Sequence, residues 1–178
     1  MAERPILFQG PLVAAVLRGE KTVTRRLYGR RFRCDAGDRL YVRETHAIVP
    51  ATAYRASREE DGSQVPHRVS PDGLEWAVYR EGWTRCKPGR WRPSIHMPRW
   101  ASRISLYVVD ARLEHLQELT HADALREGVQ PDRPGWSAVP PFARLWDKIN
   151  GHRDGASWAE NPLVWRVEFY RETERQDA

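Results

Sequence analysis

The sequence predicts an α+β fold, a small, curved, mostly antiparallel sheet or barrel with two or three short helices. Three observations predict it. Short segments of period-two alternation recur along the chain, bounded by Gly and Pro. Helical stripes are few and do not alternate regularly with the strands, which excludes a doubly wound parallel sheet. Neither a G-x-G-x-x-G stretch nor a Walker-type loop is present, so a nucleotide-cofactor fold has no support.

The elements follow in order. Pro5 to Phe8 reads as a strand, and Gly10-Pro11 opens a helix whose stripe is Leu12, Val13, Val16 and Leu17, with Gly19 as its cap. Lys21 to Leu27 is rich in β-branched residues and reads as a strand. Asp38 to Glu44 alternates, entered through an Ala36-Gly37 turn. Pro50 to Gly73 is polar and reads as a long surface insertion; Leu74 to Arg80 alternates again. Trp83 to Trp100 is rich in Trp, Pro and Arg with little periodicity, which predicts an ordered loop held by its own side chains, with Trp91, Pro93, Ile95 and Met97 largely buried. Ser102 to Val109 is the clearest strand. Thr120 caps a helix ended by Gly128, Pro141 to Ile149 is a helix with Phe142, Leu145, Trp146 and Ile149 on one face, and Leu163 to Tyr170 is the last strand. Neither a repeat nor a linker divides the 178 residues, so a single domain is expected.

Composition narrows the class. Mean hydropathy is −0.70 with 30% charged residues, and the longest apolar run, Pro11 to Leu17, is far short of a membrane span. The charged start Met1-Ala2-Glu3-Arg4-Pro5 does not read as a signal peptide, so a cytoplasmic location away from membranes is expected, and a monomer. Cys34 and Cys86 form neither a disulfide framework nor a thiolate metal site, and the six histidines lack ligand spacing, so neither metal nor other cofactor is expected. Between Arg25 and Arg43 lie seven arginines against Asp35 and Asp38, a surplus equal to the whole net charge of +5. Arginine forks suit phosphate and base edges, so this stretch is either an anion-binding face or a solvated one.

A G-x-S-x-G elbow is absent. What remains is Gly19-Glu20-Lys21-Thr22-Val23-Thr24-Arg25-Arg26. A lysine beside threonines supplies a base and a hydroxyl nucleophile if burial or nearby arginines depress the lysine pKa. Lys21 and Thr24 point to opposite faces of a regular strand, so they cooperate only if the chain bends on leaving Gly19.

This stretch resembles the G-x-K-T-x-T-x-R signature of ASCH domains, members of the PUA-like β-barrels. Gly37-Asp38-Arg39-Leu40-Tyr41-Val42-Arg43-Glu44 resembles the family's G-D-x-L-x-V-x-E strand. Trp91 to Pro98 is similar to a segment of the longer bacterial and phage branch. Glu127-Gly128, Leu145-Trp146-Asp147 and Val164 to Phe169 continue the order. The resemblance implies a barrel of about six strands with helices at its mouth. It also implies, from one small branch, an amidohydrolase that removes acetyl from N(4)-acetylcytidine through Lys21, Thr24 and Glu127. Arg25, Arg26, Arg43, Glu44, Trp91 and His96 are then the expected substrate-binding residues, and a nucleoside or single-stranded RNA the expected partner. Two alternatives stay open: Lys21 and Glu127 form a plain salt bridge with Thr24 filling a strand position, or the chain is an RNA-binding module or a ribonuclease, in which arginines hold phosphate and Trp83, Trp91 or Trp100 stacks on a base.

Overall fold

The computed structural model describes residues 2–29, 32–54 and 67–172. The chain is α+β, with eight strands in two sheets and a few short helices among the described residues. It forms two compact units, one built from residues 15–39 and 107–171, the other from 3–14 and 40–106.

In the first unit, β2 (Val23–Leu27) pairs antiparallel with β8 (Leu163–Glu172), Thr24 opposite Val167 and Arg25 opposite Arg166. On its other side β8 neighbours β7 (Ser105–His115). Helices α2 (His121–Arg126) and α3 (Val139–Asn150) cover a core of Leu116, Leu119, Ala124, Phe142, Trp146 and Val164. Thr120 caps α2 as its hydroxyl accepts the Asp123 N–H at 3.1 Å. In α3, Pro140 and Pro141 occupy the first turn, where their missing N–H groups cost nothing. The helix buries Phe142 and Trp146, and the Trp146 indole donates to the Ala156 carbonyl at 2.8 Å.

In the second unit, β3 (Arg39–Arg43) lies between β1 (Glu3–Leu7) and the first residues of β7. Here α1 (Gly10–Leu17) begins, and β4 (His46–Pro50), β6 (Glu75–Tyr79) and β5 (His67–Val69) form a separate antiparallel sheet in that order. One face of this sheet packs Ala47, Val49 and Val78 against Tyr54, Trp76, Trp83 and Trp91. The other packs Ala77 and Tyr79 against Met97, Ala101 and Trp100.

Several expectations are corrected. Strand β4 had no counterpart in the sequence reading, because its short apolar run carries no alternation. Strand β5 lies inside the stretch read as an insertion; residues 55–66 of that stretch are outside the described residues. The tryptophan segment is held by two 3-10 turns, Ser94–His96 and Arg99–Ala101. Only Met97 of the four residues expected inside it is fully buried: Trp91 is half-buried, Pro93 is exposed and Ile95 is 57% exposed. A 3-10 turn of three residues has one inward side, and Met97 at its end takes it.

Candidate active site

The site grows from a bend between α1 and β2. Past Gly19, the N–H groups of Glu20 and Lys21 both donate to the Ala15 carbonyl, at 2.9 and 3.1 Å. Thr22 then donates to the Arg126 carbonyl at 2.8 Å and accepts from the Phe169 N–H at 2.9 Å. Lys21 is thereby carried beside the end of α2, whose last turn presents Glu127. Gly128 follows in a left-handed conformation (φ +83°), and a Cβ there would lie 2.8 Å from the Ala15 Cβ and 3.4 Å from the Lys21 Cβ. Only glycine allows the two segments so close.

The Lys21 ammonium donates to the Val23 carbonyl at 2.7 Å, the Glu127 carbonyl at 2.9 Å and Glu127 Oε2 at 2.7 Å. Three protons meet three acceptors, so in this arrangement Lys21 is charged and has no lone pair to offer. Burial is the largest influence on it and pushes its pKa down; Glu127 opposes that, and Arg26 and Arg25 add to it.

Arg25 is equally enclosed. Its Nε donates to Glu114 Oε1 at 2.8 Å, Nη2 to Asp123 Oδ2 at 3.0 Å, and Nη1 reaches Glu127 Oε1 at 3.4 Å. Arg25 and Arg166 are cross-strand partners, a like-charge pair that would repel. Asp123 offsets this by accepting from Arg25 on one oxygen and from Arg166 on the other, at 3.1 Å. Burial lifts the Asp123 carboxyl, but Arg166 and Arg25 outweigh it and hold the pKa below the usual range. The network runs on through Arg166 and Glu168 (3.2 Å) to Arg126, whose Nε reaches the Thr22 hydroxyl at 3.1 Å. Burial pushes the Arg26 pKa down, against the charge of Glu127.

The structure thus brings Lys21, Arg25 and Glu127 into direct contact, although Lys21 and Glu127 are 106 positions apart. Lys21, Thr24, Arg25 and Glu127 are 2, 3, 3 and 5% exposed. Thr24 precedes Arg25 on β2 and is buried. No hydrogen bond joins its hydroxyl to Lys21 or Glu127 among the described residues.

The remaining expected residues lie in the second unit. Arg43 donates through Nη2 to the Ile95 carbonyl. Glu44 is buried in a bidentate pair with Arg103, at 2.8 and 2.9 Å; burial raises its pKa against the pull of that arginine. Trp91 packs edge-on against Trp83 at 5.8 Å between ring centroids. His96 is exposed on its 3-10 turn. Glu114 and Arg166 were missed as site residues, and Asp123 was read only as part of a cap. Alternation places Glu114 on β7 and puts Arg166 and Glu168 on one face of β8, but it carries no sign that Glu114 and Arg166 meet at one cluster.

A group of three or more His, Cys, Asp or Glu side chains able to hold a metal ion does not occur among the described residues, and no described helix is long and apolar enough to cross a membrane. No family model and no curated protein matches the chain. Among solved structures it is similar to an ASCH domain from Lactobacillus crispatus JV V101, at 12% identity and TM-score 0.44, over 96% of this chain and 79% of that one. It is also similar to a protein from Enterococcus faecalis V583 described under the family model DUF984, at 10% identity and TM-score 0.45, over 100% of this chain and 86% of that one.

Proposed function

We propose that the chain is an amidohydrolase acting on N(4)-acylated cytidine without a metal, with Lys21, Thr24 and Glu127 as its reacting groups. The observation that carries the reading is the 2.7 Å contact between Lys21 and Glu127 inside a buried, arginine-rich cluster. The order of motifs that resembles the ASCH signature supports it.

The chemistry follows from the balance of charges on Lys21. Glu127 is the chief group that keeps its proton in place, while burial, Arg26 and Arg25 all favour losing it. An acylated cytosine presents an exocyclic N–H, a hydrogen-bond donor able to take the Glu127 carboxylate from Lys21. Deprived of that partner, Lys21 releases one proton to solvent through the opened cluster and serves as the base. Because all the groups are nearly sealed from solvent, substrate binding requires the cluster to open locally.

Lys21 then takes the Thr24 proton as Oγ1 attacks the acyl carbon. The C–N bond breaks, the lysine proton passes to the exocyclic nitrogen, and cytidine leaves a threonyl ester behind. Water hydrolyses the ester, releasing the carboxylate and restoring the hydroxyl. The test is acetate release from N(4)-acetylcytidine by the wild type and by Lys21→Ala, Thr24→Val and Glu127→Ala. Each substitution should cut turnover by about 100-fold or more. A wild type inert toward acetylated and other N(4)-acylated cytidines would overturn the reading.

A further inference from the structure

The second unit holds a buried histidine with no part in the Lys21 chemistry. His46 opens β4 and is fully enclosed. Its backbone fastens the tryptophan segment: its N–H donates to the Arg92 carbonyl at 3.2 Å, and its carbonyl accepts the Arg92 N–H at 2.7 Å. We propose that His46, Arg43, Arg92 and His96 bind a small oxyanion that carries a hydroxyl proton, monohydrogen phosphate or bicarbonate. None of the four belongs to the Lys21 cluster, so the proposal is independent of the hydrolase reading.

Positive charge here is unmet. Arg43 donates through Nη2 to the Ile95 carbonyl, one residue from His96, while its Nε is buried without a hydrogen bond. Arg92 and His96 are exposed, and their side chains make neither a hydrogen bond nor an ion pair among the described residues. The foremost charges acting on His46 come from Arg92, Arg43 and His96, all basic. The neighbouring carboxylate, Glu44, is already engaged by both arms of Arg103. Buried polar atoms nearly always have partners, so His46 Nε2 and Arg43 Nε, two orphans among unmet basic groups, mark a place for an anion.

The histidine selects which anion. Its Nδ1 faces the Glu44 carbonyl at 3.1 Å, and a carbonyl only accepts, so Nδ1 carries the ring proton. Burial and the three basic neighbours hold the His46 pKa below its ordinary value, so Nε2 of the neutral ring is a bare lone pair. An occupant must therefore accept from the guanidinium groups and donate to Nε2. Monohydrogen phosphate and bicarbonate do both through oxygens on one centre. Sulfate and phosphodiesters have no such proton, so a nucleic-acid backbone does not fit. Nε2 lies out of reach of solvent, and entry requires the exposed Arg92 or His96 side chain to turn aside, a rotamer change that takes nanoseconds or less.

The experiment is isothermal titration calorimetry on the full chain at about pH 7.5, where His46 is neutral. It compares anions matched in charge: phosphate against sulfate, and bicarbonate against dimethyl phosphate. At least one hydroxylated anion should bind roughly 10-fold or more tightly than its matched partner, and the one that does so is the ligand. Arg92→Gln should weaken that binding roughly 10-fold with the thermal transition in place. His46→Leu should erase the preference over the matched anion; should that variant fail to fold, the anion ranking and Arg92→Gln decide. No binding of either hydroxylated anion, sulfate and dimethyl phosphate as tight as their partners, or an affinity unchanged in Arg92→Gln would each overturn the proposal.

Discussion

Glu127 answers to two cations at once, through Oε2 to Lys21 and through Oε1 to Arg25. Glu127→Ala takes the shared carboxylate from two buried basic groups, so a loss of about 3–5 kcal/mol is expected in urea unfolding. Thr24→Val should change stability by less than about 1 kcal/mol, because its hydroxyl has no partner among the described residues to lose. A hydrolase that dies in both variants but unfolds easily in only one separates chemistry from support. His46 offers a second residue-scale prediction. Its Nδ1 lies 3.1 Å from the Glu44 carbonyl, its Nε2 is buried without a hydrogen bond, and burial, with Arg92, Arg43 and His96, pushes its pKa below 6.5. The unfolded chain therefore takes up the proton first, so stability is full above pH 6.5 and falls as pH drops toward the folded value. The urea midpoint should decline between pH 7.5 and 5.5, and less steeply in His46→Gln; parallel declines would refute the assignment. The residue pair Lys21–Glu127 was legible because it sits in two recognisable motifs. Glu114 and Arg166 were not, because nothing in linear spacing shows that a strand, a helix end and a second strand aim charges at one point.

At the scale of elements, the α1–β2 bend and the end of α2 depend on their approach at Gly128. Gly128→Ala meets both a left-handed backbone and the Ala15 side chain, whereas Gly135→Ala meets the backbone penalty alone, its Cβ having open space. The second should cost about 1 kcal/mol and the first distinctly more, roughly 2 kcal/mol or above; thermal unfolding of the two variants decides. Equal losses would mean that the contact with Ala15 and Lys21 yields freely. Strand β3 was legible because its alternation survives, and β2 because it is rich in β-branched residues. Strand β7 runs on to His115, beyond the expected end at Val109, because Asp110, Arg112 and Glu114 disguise it as surface. The helix α3 begins at Val139, two residues before the expected start at Pro141, since its first turn accommodates the two prolines.

For the molecule as a whole, the arginine surplus was read as one face and proves to be divided in use. Arg25 is an internal counter-ion to three carboxylates, Arg43 binds a backbone carbonyl, and Arg33 and Arg39 stay exposed. Composition counts charges without telling which are spent inside, and that depends on where Glu114, Asp123 and Glu127 converge. The saturation of the Lys21 amine has a consequence for chemical labelling. The chain has three lysines, and Lys87 and Lys148 are exposed. An amine-acylating reagent should therefore modify two of the three lysine side chains of the native protein, Lys87 and Lys148, a count that peptide mass spectrometry reads directly. Lys21 can be modified only when the Glu127 carboxylate lets go and reagent reaches an unprotonated nitrogen. The rate of that modification would be a clock for the opening that the proposed hydrolysis needs, and Glu127→Ala should make it run faster at a temperature where the variant is still folded.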